Sequence, residues 1–351
     1  MAEERLLLPI IDSHIHIYPQ SEVDNLAWAV PDHPLAGQFS VDQFKEATKS
    51  APELLGFIFV EADRKNDEEA GAADGSGWDG PLKEVNWLKR VALGQPREGE
   101  GHAAEDAGLC LGIVPWAPIS SGAAVLERYL AKVEEEAGEA WPKVKGFRYL
   151  LQDKPHGTML EPKFIESLKL LGKRGFAFEV GIDQHRRGRK QLEETLEMIG
   201  RAHEDVPEEE KVTFILNHLG KPDLTIYNVT SDPSFNAWRT AMYSLGKCSR
   251  TYIKLSGAFA EMTDQARAQD PSQIFQSLFS WLGIVLATFG SQRIMYASDW
   301  PVCTVGFGDE EKGEAWPKWR EVVEKMCWMA SLDDEERAMI FGGTAKEAYK
   351  L

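Results

Sequence analysis

Eight short apolar runs, each followed by a polar or amphipathic stretch, set the narrowest limits on how this chain can fold. They occupy residues 6–17, 54–60 (LLGFIFV), 109–114, 144–151, 176–182, 212–216, 252–255 and 293–297. Runs that are apolar almost throughout suit strands buried on both faces, the situation of a parallel sheet with helical crossovers. The stretches between them carry helical spacing: in 162–173 the apolar residues are Phe164, Ile165, Leu168 and Leu171, one face of a 3.6-residue repeat. Residues 191–202, 273–289 and 316–329 read the same way. Eight such units favour an α/β fold of the (β/α)8 TIM-barrel type over a doubly wound sheet.

The alternation runs from end to end, so residues 1–351 are expected to form a single barrel domain. Two stretches break the rhythm. Residues 64–80 and 94–108 are rich in Gly, Ala and acid with almost no apolar pattern, and read as flexible loop insertions. A third loop, 304–315, follows the eighth strand, where it is either a lid or a simple solvated loop.

Composition excludes several partners. A formal net charge of −17 repels nucleic acid and anionic membranes, which leaves a small molecule as the expected partner and homo-oligomerisation open. Cys110, Cys248, Cys303 and Cys327 form no CxxC pair, so reduced thiols are expected rather than a disulfide framework or a zinc knuckle. The first eleven residues are too short and too charged for a signal peptide, and no apolar run approaches the roughly 20 residues that span a bilayer. The expectation is a cytoplasmic protein, in which the sequon at Asn228 is fortuitous.

Chemistry gathers at the ends of the runs. Side chains two apart on a strand point the same way, so His14 and His16 converge while Ile15 and Ile17 turn from them. At the C-terminal end of a barrel strand, that pair faces the side where such barrels place their active sites, and imidazole is a common metal ligand. Asp299 ends the eighth strand, which a barrel sets beside the first. A carboxylate there can ligate a metal or take a proton from an attacking water. His218 ends the sixth strand, where it can orient water, bind a metal or stabilise charge on a carbonyl oxygen.

Six stretches, IDSHIHIYP, EVNWL (84–88), VKGFRYLLQ, NHLGKPD, KLSGAF (254–259) and YASDWPVC, occur in order along the chain, and GGTAKEAY closes it. In these the sequence resembles the amidohydrolase superfamily, and within it the sugar lactonases and 2-pyrone-4,6-dicarboxylate lactonase. The resemblance covers nearly the whole chain.

The resemblance implies a lactone-opening hydrolase acting on an aldonolactone of the L-rhamnono or L-fucono type. Asp299 and His218 would be its catalytic residues, Arg148 its substrate-binding arginine, and His14, His16, Asp299 and Glu179 its metal ligands. Superfamily members usually add a histidine or modified lysine from the fourth or fifth strand, and this chain has Arg148 and Glu179 there instead. Glu179 is thus either a ligand or the buried partner of a cation. A divalent metal, zinc by its donor preferences, is expected, with a metal-free route through the three histidines as the alternative. Lys254 reads as structural, and the basic run 185–190 as an anion attractor or a solvated helix start. Trp116, Trp300 and Trp316 are candidates for a sugar-pocket floor or for plain core. The competing activities are metal-dependent decarboxylation of an aromatic or enoic acid, and a barrel that only binds.

Overall fold

The computed structural model describes residues 8–30 and 32–351; residues 6 and 7 of the expected first strand lie outside them. Eight strands form at the eight apolar runs: β1 Ile10–Ile15, β2 Leu54–Val60, β3 Cys110–Val114, β4 Gly146–Leu150, β5 Ala177–Gly181, β6 Thr213–Leu216, β7 Thr251–Leu255 and β8 Ile294–Tyr296. All ladders are parallel, in two arcs of order β1-β2-β3 and β4-β5-β6-β7-β8. Parallel bridges Ile113↔Val144 and Trp116↔Arg148 join the arcs on one side, and Ile15↔Trp300 joins them on the other. The ring is the expected (β/α)8 barrel.

Two layers of core follow from the pleat. Ile11, Ile58, Val60, Val114, Ala177, Ile215 and Met295 fill the barrel interior, and the C-terminal helix Thr344–Tyr349 closes that cluster with Ala345, Ala348 and Tyr349. The outer layer packs the strands against the helices. Helix Pro162–Lys173 starts on a proline at its first turn and buries Phe164, Leu168 and Leu171, where truncation of Leu168 to alanine costs about 2–5 kcal/mol. Helix Pro271–Phe289 is N-capped by the Asp270 carboxylate on Ser272 and Gln273 N–H. It is long and apolar enough by composition to cross a membrane, a correction to the reading that no run approached that length. In the barrel it packs between helices Pro233–Leu245 and Ala315–Met329, burying Ile274, Leu278, Trp281, Leu282 and Val285.

The segments expected as flexible insertions are more structured than their composition suggests. Residues 64–80 contain helix Glu68–Asp74, capped by Asp67 and ended by Gly75 in the left-handed region. Buried Trp78 packs against Gly71, where a Cβ would run into the indole. A helix this short, anchored by one tryptophan beyond its own end, leaves no apolar repeat to read. Residues 94–108 are pinned rather than loose. Buried Glu100 takes Arg90 Nε at 2.9 Å, its carbonyl accepts Ser40 Oγ at 2.6 Å, and Asp106 pairs with Lys45 at 2.8 Å. In 304–315, Phe307 packs edge-on against Phe259 at 5.2 Å, and a turn forms at Lys312–Glu314.

Candidate active site

At the barrel mouth the phase of β1 decides which side chains enter. Ile11 faces the interior, so strict alternation would turn Ser13 and Ile15 inward as well. Ile15 and Ile17 instead belong to the outer layer. A register shift against β2 between Asp12 and Ile15 resets the pleat, which aims His14 and His16 at the axis; irregularities of this kind recur beside functional sites.

The seam between β1 and β8 is held by buried Asp12. One of its oxygens accepts Ser298 N–H at 2.9 Å, and the other accepts the Trp316 indole N–H at 2.8 Å. Burial pushes its carboxyl up to about 6 against those hydrogen bonds. Asp299 then sits in the left-handed region (φ 63°) with its N–H on the His14 carbonyl at 2.9 Å. His218 is also left-handed (φ 53°), the first of four such residues through Lys221. For non-glycine residues this conformation is strained by about 1 kcal/mol or more each, and Trp238 Nε1–H holds the turn by the Leu219 carbonyl at 2.8 Å. Gly257 leaves room for the His218 ring, which a Cβ there would meet at 2.7 Å.

These backbones bring four expected residues together. Asp299 Oδ1 lies 3.4 Å from His16 Nε2, 3.7 Å from His14 Nε2 and 3.8 Å from His218 Nε2. All four are buried. Burial pushes the Asp299 carboxyl up, but the polar groups crowded around it together outweigh burial and hold it below the usual carboxylate range. Burial takes His218 down to about 3, overriding the pull of Asp299, so the imidazole is neutral at pH 7. Its Nδ1 is 2.9 Å from Ser256 Oγ; with the hydroxyl donating there, Nε2 carries the proton toward the centre.

The two first-strand histidines differ in what lies behind them. His16 Nδ1–H donates to the Val60 carbonyl at 2.8 Å, leaving the Nε2 lone pair inward, as in a metal ligand oriented from behind. His14 Nδ1 is 3.2 Å from Lys254 Nζ, a donor, so the network assigns its proton to Nε2, 3.1 Å from His16 Nε2. Burial, with Lys254 next, drives the His14 pKa well down. The separations among His14, His16 and Asp299 bracket the roughly 3.3 Å ligand–ligand edge of a tetrahedral site with N/O bonds of about 2.0–2.1 Å, and the three form a group able to hold a metal ion. The donor set fits a divalent cation, provided His14 gives up its Nε2 proton on loading.

Glu179 is not part of that group, which corrects its place among the expected ligands. Its oxygens lie 2.7 and 2.8 Å from Lys254 Nζ, and Tyr349 Oη–H donates to one of them. A carboxylate sealed in the barrel is held most strongly by the cation facing it on β7. Arg148 is brought to the mouth, where its charge is felt at both His14 and His218. Its Nε donates to Glu61 at 2.7 Å, while Nη1 has no partner among the described residues.

Three residues of the basic run 185–190 pair with nearby acids: His185 with Glu261 at 2.8 Å, Arg186 with Asp183 at 2.8 Å, and Arg189 with Glu193 at 2.8 Å. Trp300 packs against Phe39 and Phe44, and Trp316 serves Asp12, so of the three tryptophans Trp116 alone lines a cavity among those described. Sequence reasoning missed Asp12, Ser256 and Glu61. Asp12 and Ser256 lie inside recognisable motifs, but their partners come from distant parts of the chain.

Comparison with known proteins agrees with this architecture. The amidohydrolase family model matches residues 100–351. An L-rhamnono-gamma-lactonase of Scheffersomyces stipitis is 32% identical over 350 residues, 97% of this chain and 98% of that protein. An L-fucono-1,5-lactonase of Burkholderia multivorans is 28% identical over 60% of this chain and 64% of its own length. An amidohydrolase of Burkholderia multivorans crystallised with bound zinc superposes with a TM-score of 0.70 at 24% identity, covering 97% of this chain and 99% of that one.

Proposed function

The chain belongs to the amidohydrolase family, and from that premise we propose that it hydrolyses the ring ester of a sugar lactone, an aldonolactone of the L-rhamnono or L-fucono type. The observation that carries this reading is the Asp299 carboxylate, buried and ringed at 3.4–3.8 Å by the Nε2 atoms of His14, His16 and His218. The full-length likeness to a lactonase supports the choice of substrate class.

In this reading Asp299 takes a proton from water as the water oxygen attacks the lactone carbonyl carbon. The carbonyl electron pair moves onto oxygen, where the neutral His218 Nε2–H donates to the developing oxyanion. As the bond from that carbon to the ring oxygen breaks, Asp299 returns its proton to the leaving oxygen. The product is an open hydroxy acid that releases one proton to solvent. Arg148 offers its remaining nitrogen to substrate oxygens. His14, His16 and Asp299 would hold a divalent ion, zinc by donor type, which when bound supplies Lewis-acid polarisation of the carbonyl. The four cysteines are all free, in keeping with a reducing, cytoplasmic setting.

A proton-release assay across aldonolactones and dihydroxybenzoic acids tests the proposal. Stoichiometric acid release from an aldonolactone is expected. Carbon dioxide release from an aromatic acid, with no lactone turned over, would replace lactonase by decarboxylase. Metal analysis on the same preparation assigns the polarising role: full turnover in metal-free protein would give it to the histidine N–H groups.

A further inference from the structure

On the barrel face that carries the histidine–aspartate cluster, the loops that follow β2 and β4 line a cavity of about 540 Å³. Its ionic lining is balanced, with Asp63, Asp67 and Glu68 against Arg64, Lys65 and Lys154. Such a wall has no net field to select an ion, which favours a neutral polar ligand. Most of these groups are already engaged. Glu68 takes Tyr149 Oη–H at 2.9 Å and Lys154 Nζ at 3.0 Å, and Arg64 holds Glu84 and Glu22.

Among the polar groups of the wall without a hydrogen-bond partner, two matter for a ligand. The Asp63 carboxylate makes no hydrogen bond or ion pair among the described residues, although its N–H is held by Glu61 Oε2 at 2.6 Å and its carbonyl by Ala27 N–H at 2.8 Å. The backbone is thereby fixed, with Asp63 in the left-handed region (φ 57°), while the side chain is left to the cavity. The indole N–H of Trp116 likewise has no acceptor among the described residues, although its ring is packed edge-on against Tyr129 at 5.4 Å. An aligned carboxylate next to a rigid indole matches a polyol chemically: hydroxyls need acceptors and donors, and the C–H faces between them need an apolar plane.

The cavity connects to Arg148, the arginine assigned above to substrate oxygens, through a short chain of contacts. Asp63 N–H is on Glu61, Glu61 takes Arg148 Nε at 2.7 Å, and Trp116 bridges to Arg148 in the barrel wall. We propose that this cavity is the subsite for the hydroxyl-bearing side chain of the lactone, with Asp63 accepting its hydroxyl protons and Trp116 covering its C–H face. The assignment rests on the lactonase reading above, and it makes Asp63 and Trp116 residues that set specificity rather than groups that perform the chemistry.

Two measurements on Asp63→Asn test it; asparagine tolerates the left-handed backbone and keeps the shape. In the first, kcat/KM is compared between L-rhamnono-γ-lactone and unsubstituted γ-butyrolactone. The preference for the hydroxylated lactone is expected to fall about tenfold in Asp63→Asn; an unchanged preference would overturn the subsite. The second needs no turnover. Calorimetric affinity for L-rhamnono-γ-lactone is compared between Asp299→Asn and Asp299→Asn with Asp63→Asn, and a weakening of roughly fivefold is expected. Equal affinity, or no binding by either protein, would overturn the subsite. A wild-type protein that opens no lactone, yet shows the Asp63-dependent binding, would overturn the activity and leave the subsite standing.

Discussion

Lys254 Nζ faces both oxygens of Glu179 at 2.7 and 2.8 Å, and the same ammonium points at His14 Nδ1 at 3.2 Å. The pair is sealed inside the barrel with no exposed surface. It stands behind the first-strand histidine rather than beside it.

The placement of Glu179 has a direct consequence for metal content. Glu179→Gln would leave the proposed cation site its three donors but strip the buried ammonium of its counter-charge. Metal stoichiometry by elemental analysis should match wild type, while chemical denaturation shows a loss of about 3–5 kcal/mol. Loss of the metal in a folded Glu179→Gln protein would restore Glu179 as a ligand.

In the proposed site, a cation held by His14 would displace its Nε2 proton, which would couple binding to proton release. Zinc affinity should rise with pH, and calorimetric titrations in buffers of different ionisation enthalpy should give release of about one proton per ion. Affinity independent of pH and buffer would contradict the assigned tautomer.

In the proposed mechanism Ser256 would act through His218. In Ser256→Ala the imidazole loses the partner at 2.9 Å that fixes which nitrogen carries the proton. The expected result is a fall in kcat of about tenfold to a hundredfold with KM little changed. A variant in which KM alone moves would place Ser256 in substrate binding instead.

Glu84 gives a pH signature of stability. Burial, opposed by Arg64, raises its carboxyl from 4.5 to about 7. The folded state therefore holds this proton more tightly than the unfolded state. The contribution is fully present below 4.5 and is lost as pH rises to about 7, on the order of 3 kcal/mol in all. Thermal melts of wild type and Glu84→Gln across that window should diverge with this sign, the wild type losing more on going to neutral pH.

Much of this was legible in the residues. The eight apolar runs fell on the eight strands because burial on both faces leaves a strong local mark. His14, His16, His218 and Asp299 were legible because each ends a strand, and a barrel gathers strand ends. What escaped depends on contacts between distant parts of the chain. Nothing near Glu179 announces Lys254, 75 residues on, nor does the sequence around Asp12 announce the Trp316 indole, 304 residues on. Helix Glu68–Asp74 was hidden for a related reason, since its one apolar anchor, Trp78, lies beyond its own end.

The most direct test of the account is lactone turnover by Asp299→Asn, which keeps the size and backbone of the residue but removes the base. Turnover should fall by about 10³-fold, with the circular dichroism spectrum of wild type preserved. A folded Asp299→Asn protein that turns over an aldonolactone within roughly threefold of wild type would contradict the assignment of Asp299 as the group that takes the proton from water.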